Sequence, residues 1–151
     1  MLAIGSDHGG LELKEAVKSA LVSRGMDITD YGTDNGDSVD YPDFAEKVAG
    51  AVSRGEVTQG ILVCGTGIGM SIVANKFPGV RAALATDEFM AQMAKEHNNA
   101  NILVLGGRVL SMDLAIKMVN AWLDTPYEGG RHQRRLDKIA QVEEAVRTGK
   151  I

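Results

Sequence analysis

The stretch Gly60-Ile61-Leu62-Val63-Cys64-Gly65-Thr66-Gly67-Ile68-Gly69 carries the pattern that decides the fold. Its first half is a continuous apolar run. Continuous rather than alternating apolarity suits a strand covered on both faces, as in a parallel sheet wrapped by helices. Its second half places glycine at every other position. Such a turn directly after a strand brings backbone close to a ligand.

Working outward, the same strand-then-helix unit recurs. Upstream, Met1–Ser6 reads as a short strand, and Leu11–Arg24 has apolar residues near helical spacing with Gly25 as a stop. Asp27–Tyr31 is a second strand, and Gly32–Asp40 a polar loop. Tyr41-Pro42 opens a helix carrying Phe44, Ala45, Val48, Ala49 and Val52, with Pro42 suited to its first turn. Downstream, Met70–Lys76 follows the glycine turn. Val80–Ala85 is a fourth strand, Asp87–Glu96 a helix and Asn101–Leu105 a fifth strand. Ser111 and Asp113 open a helix to about Leu123. Five such units predict a five-stranded parallel sheet with helices on both faces, a three-layer α/β/α sandwich. The segment Pro126–Gly130 then breaks the chain, and Arg131–Arg147 reads as an extra C-terminal helix. Its apolar residues Leu136, Ile139, Val142 and Val146 form one stripe. That stripe needs cover, from its own domain or from a neighbouring subunit.

Composition bounds the function. The 151 residues suit one domain spanning 1–151, and 44% hydrophobic with 24% charged residues is ordinary for a soluble globular chain. One cysteine excludes an internal disulfide and a cysteine-rich zinc module. No apolar run approaches the roughly 20 residues that cross a bilayer. The opening Met1–His8 has no basic region and meets an acid at once, unlike a signal peptide. A cytoplasmic protein is the simplest reading. The net charge of −4 argues against nucleic acid as a partner.

In open parallel sheets, ligands bind beyond the carboxyl ends of the strands. Asp7 and His8 follow the first strand, Cys64–Gly69 the third, and Gly107-Arg108 the fifth. His97 and Asn98, at the end of the fourth helix, are read onto the same edge. The alternating glycines can turn several N–H groups toward one phosphate or developing oxyanion. The dinucleotide pattern G-x-G-x-x-G fails at Met70, and the Walker A lysine is absent. A C-x5-R phosphatase loop fails at the same methionine. A turn serving only helix–strand packing stays open as the plain alternative. A thiol at the start of a helix makes a usable base or nucleophile near neutral pH. Cys64 can also be a small core filler. His97 suits acid–base work. No histidine pair has metal-ligand spacing, so no metal is expected. Arg131 and Arg135, four apart, share a helix face and suit a phosphate dianion. The alternative there is a solvated patch balanced by Asp137, Glu143 and Glu144.

Several motifs fall in one order: Ser6-Asp7-His8-Gly9-Gly10, Asp40-Tyr41-Pro42-Asp43, Cys64–Gly69, Ala74-Asn75-Lys76, His97-Asn98, Gly107-Arg108 and Tyr127–His132. Over essentially the whole chain this order resembles the type B ribose-5-phosphate isomerases, a group that includes galactose-6-phosphate isomerase subunits. The resemblance implies a Rossmann-like fold, a homodimer or dimer of dimers with shared active sites, and no metal or organic cofactor. It implies reversible isomerisation of D-ribose 5-phosphate and D-ribulose 5-phosphate. Cys64 matches the base that moves the proton between C1 and C2. Gly65, Thr66, Gly67, Ile68 and Gly69 match the loop whose amides hold the enediolate oxygen. His97, with Thr66, matches ring opening. Asp7 and Asn98 match hydroxyl contacts, and His8, Arg131 and Arg135 match phosphate contacts. Arg108 matches a substrate-site residue expected from across the dimer. Part of the family uses a glutamate just after the glycine loop. Met70 stands there, which implies the cysteine-base type. The alternatives are the same chemistry on allose 6-phosphate, galactose 6-phosphate or a tetrulose phosphate. A non-catalytic phosphate- or nucleotide-binding module is the alternative of another class.

Overall fold

The computed structural model describes all residues, Met1–Ile151. Its elements, in chain order, are β1 (Leu2–Ser6), α1 (Leu11–Ser23), β2 (Ile28–Asp30), α2 (Tyr41–Ser53), β3 (Gln59–Cys64), α3 (Ile68–Ala74), β4 (Ala82–Leu84), α4 (Glu88–Glu96), β5 (Ile102–Gly106), α5 (Met112–Asp124) and α6 (Arg131–Arg147). A 3-10 turn, His8–Gly10, links β1 to α1. The five strands form one parallel sheet in the order β2-β1-β3-β5-β4. The expected three-layer α/β/α architecture is present.

Strand periodicity divides the core into two layers. Leu2, Ile4, Ile61, Val63, Leu103 and Leu105 face α1, α4 and α5, where Leu13, Val17, Met118 and Trp122 cover them. Ala3, Leu62, Cys64, Ile102 and Val104 face α2 and α3, where Ala45, Val48, Met70 and Ala74 cover them. Side chains of successive strand residues point to opposite faces, so an unbroken apolar strand feeds both layers.

The edge strands are shorter than expected. Val80 and Ala85 lie outside β4. The Val80 N–H turns back to the Phe77 carbonyl at 3.1 Å, and the Ala85 N–H donates to the Val104 carbonyl at 3.2 Å just past the strand. Side-chain amides satisfy the backbone around the strand's start. Asn75 Oδ1 accepts from the Ala82 N–H and its Nδ2 donates to the Ala82 carbonyl, both at 2.9 Å. Asn101 Oδ1 accepts from the Arg81 N–H at 2.8 Å. The start of this edge is thereby occupied by side chains rather than left open.

The connections set up the site. β1 leads into α1 on one face of the sheet, while its neighbour β3 leads into α3 on the other. Chains that leave adjacent strand ends toward opposite faces open a crevice between them. Helix α6 stands apart. Only His132 and Leu136 of α6 are buried, while Ile139, Val142 and Val146 are exposed. One end of the apolar stripe is covered by the chain itself and the rest is not.

Candidate active site

The crevice between β1 and β3 is built by close backbone approach. Asp7 N–H donates to the Val63 carbonyl at 3.3 Å, and Gly107 N–H to the Cys64 carbonyl at 2.7 Å. Arg108 N–H donates to the Gly65 carbonyl at 2.9 Å. The three turns after β1, β3 and β5 therefore form one layer. A Cβ on Gly10 would sit 2.5 Å from the Val63 carbonyl oxygen, so only glycine permits this seam.

Cys64 is the single, buried thiol at the head of this layer. Its Sγ accepts a hydrogen bond from the Gly67 N–H at 3.2 Å. That amide can solvate a thiolate. Gly67 reaches this position with φ +82° as the residue that caps α3. Thr66 Oγ1 accepts from the Ile68 N–H at 3.3 Å. The N–H groups of Gly65, Thr66 and Gly69 donate to no protein atom. The loop thus offers three uncommitted donors beside the sulfur. Met70, the alternative base position, is fully buried among apolar side chains.

Asp7 and His8 flank the same crevice. Asp7 is buried and its Oδ1 accepts from the Gly10 N–H at 3.1 Å, so it caps its own turn. His8 Nδ1 accepts from the Val39 N–H at 3.1 Å. In neutral His8 the proton is then on Nε2, which is left as a donor. Arg108 corrects an expectation. Its guanidinium lies over its own chain's loops, 3.3 Å from where a Gly65 Cβ would be and 3.5 Å from that of Gly9. The turn hydrogen bonds at Gly107 and Arg108 carry it there. Arg108 forms no ion pair, which makes it an uncommitted cation in the crevice.

His97 and Asn98 are also corrected. Helix α4 leaves the carboxyl end of β4 and runs back to the start of β5, so its last residues lie at the amino edge of the sheet. Nine residues of helix separate the two edges, about 13 Å of rise. His97 and Asn98 therefore do not share the edge that carries Cys64 in the same chain. Asn98 is exposed beside Ala83, Leu136 and Ile139. Arg131 and Arg135, at the start of α6, are exposed on this same side. Arg131 Nη1 is 3.4 Å from Glu128 Oε1. Arg135 forms no ion pair. The acids expected to balance the arginines are engaged elsewhere: Asp137 with Gln133, Glu143 with the Gly79 N–H, and Glu144 with Arg147.

Three features escaped sequence reasoning. The Val39 amide that orients His8 comes from a loop 31 residues away, and a backbone group leaves no sequence signal. The Tyr41 ring packs over the first turn of α3, where a Gly69 Cβ would meet it at 2.5 Å. His132 stacks on His97, with ring centroids 4.1 Å apart and planes at 14°. His132 sits inside the Tyr127–His132 motif, but its spacing from His97 gives no sign of contact. Glu128 joins this pair, with ligand atoms of the three residues within 4.8 Å of one another. Parallel rings at this separation hold their nitrogen lone pairs in different planes, so both cannot aim at one ion.

Fold and crevice define an α/β protein with a candidate binding site at the carboxyl edge of its sheet, and comparison with known proteins places it among isomerases. The profile of the Ribose/Galactose Isomerase family matches residues 2–139. Ribose-5-phosphate isomerase B of Escherichia coli is 47% identical over 143 residues, covering 95% of this chain and 96% of that protein. The D-erythrulose-4-phosphate isomerase of Pectobacterium atrosepticum is 43% identical, with 94% of each chain covered. The structure of Clostridium thermocellum ribose-5-phosphate isomerase B superposes with a TM-score of 0.94 at 52% identity, covering 96% of this chain and 98% of that one. The chain belongs to the ribose/galactose isomerase family.

Proposed function

We propose that the protein interconverts D-ribose 5-phosphate and D-ribulose 5-phosphate. The observation that carries this reading is the placement of the Cys64 sulfur beside three uncommitted backbone donors at one strand–loop junction. Aldose–ketose isomerisation needs a base next to C1 and C2 and a place for negative charge on oxygen. His97, assisted by Thr66, opens the furanose ring by proton transfer. The Cys64 thiolate takes the C2 proton of the aldose, and the electrons move onto the carbonyl oxygen as an enediolate. Within the Gly65–Gly69 loop, the uncommitted amides of Gly65, Thr66 and Gly69 hold that charge, two or three aimed donors each contributing roughly 2.7–4 kcal/mol to the transition state. The C2 hydroxyl proton passes to the C1 oxygen as the same sulfur returns its proton to C1, which leaves the C2 carbonyl of the ketose. His8, Arg131 and Arg135 grip the phosphate, which orients the reacting carbons from a distance. Asp7, Asn98 and Arg108 contact the rest of the sugar.

In this reading two copies of the chain build each site. One provides Asp7, His8, the Cys64–Gly69 loop and Arg108. The other provides His97, Asn98, Arg131 and Arg135, which lie at the opposite edge of its own sheet. The uncovered stripe Ile139, Val142 and Val146 supplies an apolar surface for that association.

An assay across four-, five- and six-carbon sugar phosphates tests the substrate. The five-carbon pair is expected to have the highest kcat/KM. Cys64→Ala should lower kcat by about 10²–10⁴-fold with the fold intact. Full kcat in that variant would remove Cys64 as the base. The similarity to a D-erythrulose-4-phosphate isomerase favours a second reading, a tetrulose phosphate as substrate. It prevails if the four-carbon compound turns over faster.

A further inference from the structure

The sequence holds three histidines. His8 and His97 have roles in the proposed reaction. His132 has none, yet it has the most constrained surroundings. Its side chain is only 5% exposed, its Nε2 forms no hydrogen bond, and that nitrogen lies 3.5 Å from Glu128 Oε2. Burying a polar nitrogen that makes no hydrogen bond, its nearest acceptor being Glu128 Oε2, costs stability. A leucine or phenylalanine would fill the space without that cost. What His132 does hold is the flat face of His97.

His97 needs such support. It is the residue where α4 ends, 37% exposed, and the next two residues turn out of the helix, with Asn99 at φ +44°. Its ring forms no hydrogen bond, and its nearest charged neighbour on α4 is Glu96, at 3.9 Å. Rotation of an imidazole about its last torsion is broad and roughly two-fold. A buried, parallel ring at 4.1 Å restricts it to one plane. The support is itself anchored. His132 N–H donates to the Gly129 carbonyl at 3.0 Å, and Glu128 N–H donates to the Glu96 carbonyl at 3.0 Å, tying this loop to the end of α4.

We propose that His132 is a positioning residue: its buried ring fixes the plane of His97, and so the direction in which His97 presents its nitrogens to the closed sugar ring. The proposal rests on the reading of His97 as the ring-opening group. It makes no claim on proton transfer at carbon.

That division supplies the test. Ribulose 5-phosphate cannot close to a furanose, because its C5 oxygen carries the phosphate. Exchange of its C1 hydrogen with solvent deuterium, read by NMR, therefore reports the base and the amides without ring opening. Turnover of ribose 5-phosphate reports both steps. His132→Ala is expected to lower kcat for ribose 5-phosphate about tenfold or more, while exchange at C1 and KM stay within about twofold. His132→Phe restores a flat partner and should return ribose turnover to within about threefold of the parent. Parallel loss of turnover and exchange in His132→Ala would mean a purely structural role and overturn the proposal. So would full ribose turnover in His132→Ala, or failure of His132→Phe to rescue. His97→Asn is measured alongside. If it leaves ribose turnover intact, the ring-opening reading itself has failed, and the proposal falls with it.

Discussion

At the scale of single residues, the chemistry is concentrated where backbone and side chain serve together. The Cys64 carbonyl is held by Gly107, and its sulfur by Gly67. Gly67 is the position where substitution is expected to be most informative. A Cβ there would lie 2.6 Å from Leu84 Cδ1 and 3.1 Å from the Leu105 carbonyl, at φ +82°. The left-handed conformation alone costs roughly 1–2 kcal/mol for a residue with a side chain. Gly67→Ala should therefore lower the melting temperature and, by tilting the amide away from Sγ, lower kcat more than it raises KM. A thermal melt and steady-state kinetics on one preparation check both. The thiol, the loop, Asp7 and His8 are legible in the sequence as residue types after strands. That Asp7 spends one oxygen on its own turn is not, because that bond depends on the local path of the chain.

At the scale of elements, helix α1 is tied to the sheet edge by charge. Lys14, fully buried, donates to both oxygens of Asp30 at 2.9 and 2.8 Å and to the Thr33 carbonyl at 3.0 Å. Lys18 donates to Asp30 at 2.8 Å. Burial pushes the Asp30 carboxyl up, but hydrogen bonds from Lys14, Lys18 and the Gly32 amide outweigh it and hold the carboxyl below its usual range. A lowered folded-state value means that the ionised form stabilises the fold. That contribution is complete above about pH 4, the range of an unfolded Asp, and is lost as pH falls through the lowered value. Asp30→Asn should lower stability at pH 7 by about 1.5–3 kcal/mol, as for hydrogen bonds to charged groups. In denaturant titrations, the gap from the parent should close as pH falls below about 4. A second test concerns α4. Asp87 Oδ1 caps it by accepting from the Met90 N–H at 2.7 Å. Asp87→Ala is expected to cost about 1 kcal/mol by the same titration. Helices are legible to within a residue or two where a stripe and a stop agree, and the pattern over Arg131–Arg147 coincides with α6 as observed. The apolar pattern overextends β4 at its start, where the Arg81 N–H goes to the Asn101 side chain and the Val80 N–H turns back to the Phe77 carbonyl.

At the scale of the whole molecule, the placement of His97 governs what an active unit must be. Cys64 lies at the carboxyl edge of the sheet and His97 at the amino edge, so one chain cannot close the proposed site. Two copies exchanging these edges can. Mixing and reassembling inactive Cys64→Ala and His97→Asn variants in equal amounts should then regenerate one intact site per mixed dimer, about a quarter of parental sites. No recovery after verified subunit exchange would mean that the residues do not meet across an interface. Replacing Ile139 and Val142 with aspartate should weaken association and activity together, since both side chains are exposed in the isolated chain. Sedimentation and activity measured over one dilution series would show this.

Local order decided what the sequence could determine alone: a parallel α/β/α sheet, the turn that carries Cys64, and the candidate residues by type. These depend on short-range periodicity, on glycine and on the residues directly after each strand, all written within a few neighbouring positions. Only the tertiary structure decided which edge each residue occupies, that Arg108 reaches into its own crevice, and that His132 lies against His97. A helix antiparallel to its strand returns the chain to the opposite edge. Side chains distant in sequence meet only when the elements carrying them pack.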